Sequence, residues 1–233
     1  MAIALESFAT AGNGTFNQST LTIGKPTGTT DGDLLVCIIG AGDTDSDNVL
    51  TTLAGWTDID GWFGDDSNGI NAGLGTYWKI AGASEPANYT WTQSRNMRIE
   101  GTIMRISGAN VTPIDTSSVA YQTAFNTDIT APSCSPAETD SWLIAAVVMA
   151  SDSAWTSSPS GMTVVTEDAG ADGVTTAIAY EQLSASGPTG VRTWTKSSSG
   201  RNSGSQIALK SSGGATQSLI VDMQNRKFNR ITN

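Results

Sequence analysis

The feature that most constrains this chain is an internal repeat. Five sequence segments recur in the same order, at offsets that fall from 107 to 102 residues. Among them, AGWT at 54–57 returns as SGMT at 160–163, and YTWT at 89–92 returns as RTWT at 192–195. In the repeated segment that comes earliest in the chain, the run that starts at Asp33 aligns with the run that starts at Asp140. Such self-similarity indicates one structural unit built twice. We expect two pseudo-repeats, at about residues 20–110 and 128–211.

The local pattern predicts strands and almost no helix. Short runs rich in Val, Ile, Thr, Trp and Tyr alternate with Gly, Asp, Ser and Pro clusters, which is typical of a sandwich or barrel. The predicted fold class is all-β: a jelly-roll-like antiparallel β-sandwich built from two halves, with a short C-terminal arm. The predicted strands are residues 21–23, 33–39, 56–59, 76–80, 87–92, 99–106, 141–150, 162–167, 175–183, 192–195 and 205–209.

Two of these strands carry informative alternation. Residues 33–39 are apolar on both faces, so we expect a central strand covered on both sides. In residues 99–106, Glu100, Thr102 and Arg105 interleave with apolar residues, which predicts a sheet with one wet face.

The domain organisation has two interpretations. Each half has enough strands to close a small sandwich, or the halves could contribute interleaved strands to one jelly roll. Because no linker separates the halves, we favour one β-sandwich domain over residues 1–211. Two tandem sandwiches are the alternative.

Composition excludes several function classes. The chain has 233 residues and no histidine, which removes Ser-His-Asp and Cys-His catalysis and His-ligated metals. A net charge of −10 argues against nucleic-acid binding. No signal peptide or membrane span is evident, so we expect synthesis in a cytoplasm and no membrane partner. Two cysteines make no disulfide framework, and we expect a buried thiol at Cys37 and a bystander at Cys134.

One acidic loop resembles a calcium-binding sequence. Asp43, Asp45 and Asp47 alternate with other residues, but the places where an EF-hand needs Gly and Glu hold Asn48 and Ala54. They are weak metal candidates, and an acidic turn is the simpler interpretation. We predict no catalytic residues and no cofactor.

Two tryptophans are candidates for a glycan-binding surface. Trp62 and Trp155 lie outside the repeated segments and are the candidates for stacking on sugars. Glycoside hydrolysis needs a matched pair of carboxyl groups, for which the sequence offers no motif. The remaining tryptophans at or near predicted strands are expected in the core: Trp56, Trp78, Trp91, Trp142 and Trp194.

The C-terminal segment differs from the rest. Residues 1–211 carry 21 acidic and 9 basic residues, whereas residues 212–233 carry one acidic and three basic residues. This segment begins with a small-residue hinge, and both repeats end before it. We interpret residues 212–233 as a hinge and anchoring arm for another chain. Its candidate partner-binding residues are Leu219, Val221, Met223, Arg226, Lys227, Phe228 and Arg230.

Several motifs together resemble a known family. They are LTI at 21–23, DGDLLV at 31–36, AGWT at 54–57, YWKIA at 77–81 and EPANYTW at 85–91. This pattern resembles β-sandwich proteins of tailed-bacteriophage virions, of the decoration, head-fibre or tail-fibre type. The chain departs from it where the proline usually found before Gly-Trp-Thr is missing, and where Met162 replaces the tryptophan.

The resemblance implies a non-enzymatic virion protein. Its most direct form is a capsid decoration (cement) or head-fibre protein that binds other virion subunits, made in the host bacterial cytoplasm and located in the virion. It further implies a homo-oligomer, for example a trimer. The alternative is a tail-fibre adhesin or carbohydrate-binding module that recognises host glycans.

Overall fold

The computed structural model describes residues 2–12, 18–43, 49–63, 71–168 and 173–213. Across these ranges the chain forms strands and turns and no helix, which confirms the all-β prediction. The first half contains β1 (Ala4–Gly12), β2 (Gln18–Gly24), β3 (Leu34–Asp43), β4 (Leu50–Thr51), β5 (Thr57–Phe63), β6 (Asn71–Ile80) and β7 (Asn88–Ser107). The second half contains β8 (Ala109–Ala131), β9 (Trp142–Met149), β10 (Trp155–Ser157), β11 (Thr163–Glu167), β12 (Thr175–Gln182) and β13 (Arg192–Ser211). None of the described segments could span a bilayer as a helix.

Both halves are rolled antiparallel ribbons. In the first, β1 and β2 pair with β7, and β3 pairs with β6 and β7, giving the order β1-β7-β3-β6-β5. The long β7 bends between two layers, because its first part pairs with β2 and β4 and its second part with β1 and β3. The second half repeats this with β13 between β8 and β9, and β12 and β11 beyond β9. Nested antiparallel pairs of this kind define a jelly roll.

The two sheets have seven and six strands, and all described strand pairs lie within one half. The second sheet has one strand fewer because β8 runs unbroken along β13, where β1 and β2 share the length of β7. The strands of the two halves therefore do not interleave.

A shared core holds the halves together. The inward face of β3 carries Leu34, Val36 and Ile38, and the facing side of β9 carries Trp142, Ile144, Ala146 and Val148. The opposite face of β3, with Leu35, Cys37 and Ile39, packs inside the first half's own roll. β9 likewise buries its other face inside the second half. Residues 33–39 are thus covered on both sides, as predicted.

Close approach of the sheets depends on Gly40. A side chain there would overlap Thr176 and Val148 of the second half, with Cβ distances of 2.4 and 2.8 Å. In the repeat, the pairings of β3 and β9 with β7 and β13 place Val148 at the position of Gly40. Val148 of the second half thus fills the space that Gly40 leaves open in the first half.

The strand registers show that the alignment of Asp33 with Asp140 is wrong by one residue. Leu34 pairs with Ile106, and Trp142 pairs with Leu209, so Leu34 corresponds to Trp142. Asp140 consequently matches Gly32 and not Asp33, and both have a left-handed backbone, with φ of 62° and 87°. The residue after each of them accepts an equivalent backbone hydrogen bond: Ala81 N donates to Asp33 O, and Leu183 N donates to Ser141 O. Aspartate is among the few residues that tolerate this conformation.

Several strand limits also differ from the predictions. The predicted strands 87–92 and 99–106 merge into β7, which begins at Asn88, and those at 192–195 and 205–209 merge into β13. Strand β8, which the sequence does not signal, pairs on one side only, with β13, so Pro113 breaks no internal ladder. The face of β7 that carries Glu100 and Thr102 is not wet, because these side chains are 6% and 2% exposed. Cys37 is buried and free, and Cys134, expected to be a bystander, is buried as well.

One carboxylate joins the halves by hydrogen bonds. Asp60 in β5 accepts from Ser117 Oγ at 2.5 Å and from Ser205 Oγ at 2.9 Å, and both serines belong to the second half. A further bond crosses nearby, from the Ser203 hydroxyl to the Ala72 carbonyl.

We expect Asp60→Ala to lower the free energy of unfolding by about 2 kcal/mol, because two hydroxyls lose a charged acceptor. Urea unfolding measures the loss, and a double-mutant cycle with Ser205→Ala isolates the contact. Asp58→Ala is the matched control, since Asp58 is exposed and its described bond, to Thr52, stays within the first half. Equal losses for the two variants would contradict the assignment of Asp60 as a tie between halves.

Candidate functional site

The residues singled out from sequence are only partly in the described structure. Asp43 ends β3 and Trp62 lies in β5, but their side chains fall outside the described part. Asp45 and Asp47 also lie outside it. The same holds for the arm candidates Leu219, Val221, Met223, Arg226, Lys227, Phe228 and Arg230.

Trp155, in β10, packs against other residues of the second half. Its indole Nε1 donates to the Asp168 carbonyl at 2.6 Å, and the Lys196 ammonium lies 4.3 Å from its ring centroid. The ring also contacts the core of the second half. One face and the N–H group are therefore already occupied, which leaves less of the ring available for a sugar.

Lys196 is a buried cation that the sequence analysis missed. Its side chain is 2% exposed, and Nζ donates to the Thr175 hydroxyl and to the Ser151 carbonyl. Burial lowers the pKa of Lys196 to about 8, although Glu100, Asp152 and Asp168 oppose the shift. The repeat contains a signal for it, because Lys196 occupies the position of Gln93, which is equally buried.

A buried carboxyl group with a raised pKa lies where the shared core ends. Beyond Met104 and Thr102, the next inward residue of β7 is Glu100, which faces Asp168 and Thr176 of the second half. Burial raises the pKa of Glu100 well above its usual value, and the hydrogen bond and charge of Asp168 add to this. Hydrogen bonds from Thr176 act in the opposite direction.

A cavity of about 280 Å³ opens beside Glu100. It lies between β1 and β7 of the first half and β11 and β12 of the second. Its polar lining includes Thr10, Glu100, Thr102, Thr166, Asp168 and Thr176. At this cavity, ionisable side chains of the two halves meet beside open space.

Two shallow grooves occupy equivalent positions on the halves. The first is lined by Trp56, Lys79, Tyr89 and neighbouring residues, and the second by Pro159, Arg192 and their neighbours. Trp56 contacts Tyr89 and Trp91 edge-to-face, at 5.2 and 5.1 Å between centroids. Because Trp56 is only 7% exposed, its ring supports the core more than it presents a surface.

The charge arrangement beside these grooves changes between the halves. In the first, Glu85 accepts from Lys79 Nζ at 2.7 Å and from the Tyr89 hydroxyl at 2.8 Å. In the second, the positions of Lys79 and Tyr89 hold Glu181 and Arg192, which form their own ion pair. Each half thus has a charged contact beside its groove, but the groups that form it differ.

Stability should depend on pH through Glu85. Burial alone would raise the pKa of Glu85, but hydrogen bonds from Lys79, Gly82 and Tyr89 outweigh it and hold the pKa below its usual value. The charged form therefore stabilises the fold above the unfolded-state pKa of about 4.3, and this contribution is lost as the pH falls through the folded-state value.

We expect Glu85→Gln to cost about 2 kcal/mol at pH 7 and progressively less below pH 4. Urea midpoints measured from pH 7 to pH 3 give the comparison. Glu138→Gln, at an exposed position, serves as the control. A cost for Glu85→Gln that stays constant over this range would contradict the assignment.

Among the described residues, Thr175 and Lys196 pair a hydroxyl with an amine of lowered pKa. Lys196 is the described amine with a clearly lowered pKa, but it is enclosed and bonded to Thr175 and Ser151. Cys37 and Cys134 are buried, and burial raises the pKa of both thiols, which disfavours the reactive thiolate. The enclosure of Lys196 and of both thiols leaves these groups without a described approach for a substrate.

Comparison with known proteins identifies no relative: neither the protein-family models nor the curated protein sequences contain a match to this chain.

Proposed function

We propose that this chain is a non-enzymatic structural protein of a bacteriophage virion. Its most direct role is that of a capsid decoration or head-fibre protein that binds other virion subunits. The observation that carries the proposal is the sharing of one core by two jelly-roll halves, which joins the described body into one packed unit. The motifs that resemble phage virion β-sandwiches supply the biological context.

The use of ionisable groups supports a passive role. Asp33 accepts from Arg105 and Thr30, Glu85 from Lys79 and Tyr89, and Asp60 from two serines of the other half. These contacts fix turns and join strands, which is a structural use of charge.

The arm supplies the proposed attachment. Residues 212–233 are net basic, whereas the remainder of the chain is strongly acidic. A segment with apolar and basic residues can bind a neighbouring subunit by adding a strand or by inserting apolar anchors. Under this proposal the body is displayed and the arm holds it to the particle.

Removal of the arm tests the attachment. The cut belongs after Gly213, because Ser212 N donates to the Gly108 carbonyl and so belongs to the body. We expect the truncated chain to keep its melting temperature but to be lost from particles, as measured by co-sedimentation with virions of the source phage. A full-length variant with Arg226, Lys227 and Arg230 changed to Gln separates charge from apolar anchoring. Unchanged incorporation of the truncated chain would overturn the attachment model.

A glycan array tests the alternative function directly. If the protein is a decoration protein, we expect no saturable binding of the purified full chain to bacterial surface glycans. Binding that disappears in Trp62→Ala, while Trp155→Ala behaves like the wild type, would instead favour the adhesin role. Trp155 is a useful comparison because its ring is partly covered by Lys196.

A further inference from the structure

Strand β8 forms an edge of the second sheet. Among the described strands only β13 pairs with it, so one side of its backbone, here called the outer edge, faces no described strand. From Thr116 to Gln122 the pairing with β13 has no bulge, and this part of the outer edge is therefore regular. A regular edge offers a row of backbone N–H and C=O groups to a further strand.

The usual protections of an edge strand are missing from this stretch. Natural edge strands carry lysine, proline or a bulge, which hinders pairing with another chain. In this protein β5 and β11 each contain a bulge, before Gly61 and before Thr166 respectively. Residues 116–122 of β8 contain neither lysine nor proline and pair regularly with β13. The outer edge of β8 is thus suited to the addition of a strand.

Both faces of β8 are already used within the molecule. On one face, the Ser117 hydroxyl donates to Asp60 of the first half. On the opposite face, the Ser118 hydroxyl donates to the Pro132 carbonyl at 2.7 Å. The side chains of residues 114–122 are all half-buried. A partner would therefore approach β8 along its edge, and an extended strand is the shape that fits there.

The arm has the composition that suits this edge. It contains the apolar run Leu219–Val221, followed by three basic residues, against one acidic residue in the whole arm. Strand β8 carries Asp115 and Asp128 and no basic residue. The apolar run can add a strand while the basic residues meet a surface of opposite charge.

The arm leaves the body at the start of β8. Ser211 pairs with Ala109, and Ser212 N donates to the Gly108 carbonyl at 2.8 Å. An arm that continued along β8 of its own chain from this end would run parallel to it. Every described strand pair is antiparallel, and antiparallel pairing is the more stable kind. A second copy can present its β8 in the antiparallel direction and is the better acceptor.

We propose that the arm of one copy adds a strand to the outer edge of β8 in a second copy of this chain. The inference rests on the proposed role of the arm as an attachment, and it names the subunit that the arm binds. Because the arm and the edge are different surfaces, the contact is head-to-tail, and such contacts close into rings or continue as filaments. Fully extended, residues 214–233 span about 65 Å, which is enough to reach an adjacent body.

The oligomeric state of the purified protein is the first measurement. We expect light scattering to show the full chain as a dimer or larger assembly, and the chain cut after Gly213 as a monomer with an unchanged melting temperature. Changing Arg226, Lys227 and Arg230 to Gln should weaken self-association about tenfold, because the arm loses its positive charge. A full chain that stays monomeric at roughly 100 μM would overturn the proposal.

Cysteine trapping then locates the acceptor edge. One full chain carries a single new cysteine in place of Leu219, Ile220 or Val221, so that both faces of an added strand are sampled. A second full chain, made larger by a fused tag, carries Ala120→Cys in β8. The native cysteines are buried, which keeps the background low. After mixing and oxidation with diamide, we expect a disulfide between the two chains, seen at their summed mass on a non-reducing gel.

Ala9→Cys is the matched control. Ala9 is also a half-buried alanine, and it lies in β1, the corresponding edge strand of the first half. We expect no cross-link between the arm and this position. Cross-linking to Ala9→Cys and not to Ala120→Cys would assign the acceptor to β1 and contradict the proposal.

Two further results separate this inference from the proposed function. A disulfide that forms only within a chain carrying both the arm cysteine and Ala120→Cys would place the arm on its own body, and exchange between copies would be wrong. A full chain that is monomeric but still co-sediments with virions would likewise refute the exchange while leaving the attachment model intact. Loss of self-association in the truncated chain, with unchanged incorporation into particles, would support the exchange and refute the attachment.

Discussion

The structure depends on one constraint: the central strand of each sheet is apolar on both faces. β3 and β9 each bury one face in their own roll and the other in the shared core. A half on its own would expose Val36 and Ile38, or Ile144 and Val148, to water, at a cost of about 2 kcal/mol for each large side chain. Each half therefore completes the other, and the rigid pair follows from the alternation of side chains along two strands.

The same constraint determines where polar chemistry can occur. Along β7, the inward positions change from Ile106 and Met104 to Thr102 and then Glu100. The halves stay in contact across this change, so their polar groups must be satisfied by each other. Asp60 achieves this with two serines, whereas Glu100 does so through hydrogen bonds with Asp168 and Thr176 and keeps one enclosed oxygen unpaired.

Sequence reasoning predicted what depends on local periodicity. It identified the repeat, the fold class and the two-sided burial of residues 33–39, because these features are encoded in alternating side chains. It misassigned Glu100 and Thr102 to a wet face, since a polar residue that faces another half looks like one that faces water. It shifted β9 by one residue because Asp33 and Asp140 are identical, although Asp140 takes the backbone role of Gly32. The meeting of Glu100 with Asp168 depends on the packing of two halves, which local pattern does not encode.

The halves have kept their cores and diverged at their surfaces. Trp91 and Trp194 are both fully buried at equivalent positions, yet beside them Lys79 and Tyr89 are replaced by Glu181 and Arg192, and Trp56 by Met162. A core position is constrained by many neighbours at once, whereas a groove position is constrained by whatever it binds. The duplicated fold consequently presents two grooves at equivalent positions with different side chains and charge. The same fold therefore places an aromatic and lysine surface on one half and an arginine and glutamate surface on the other.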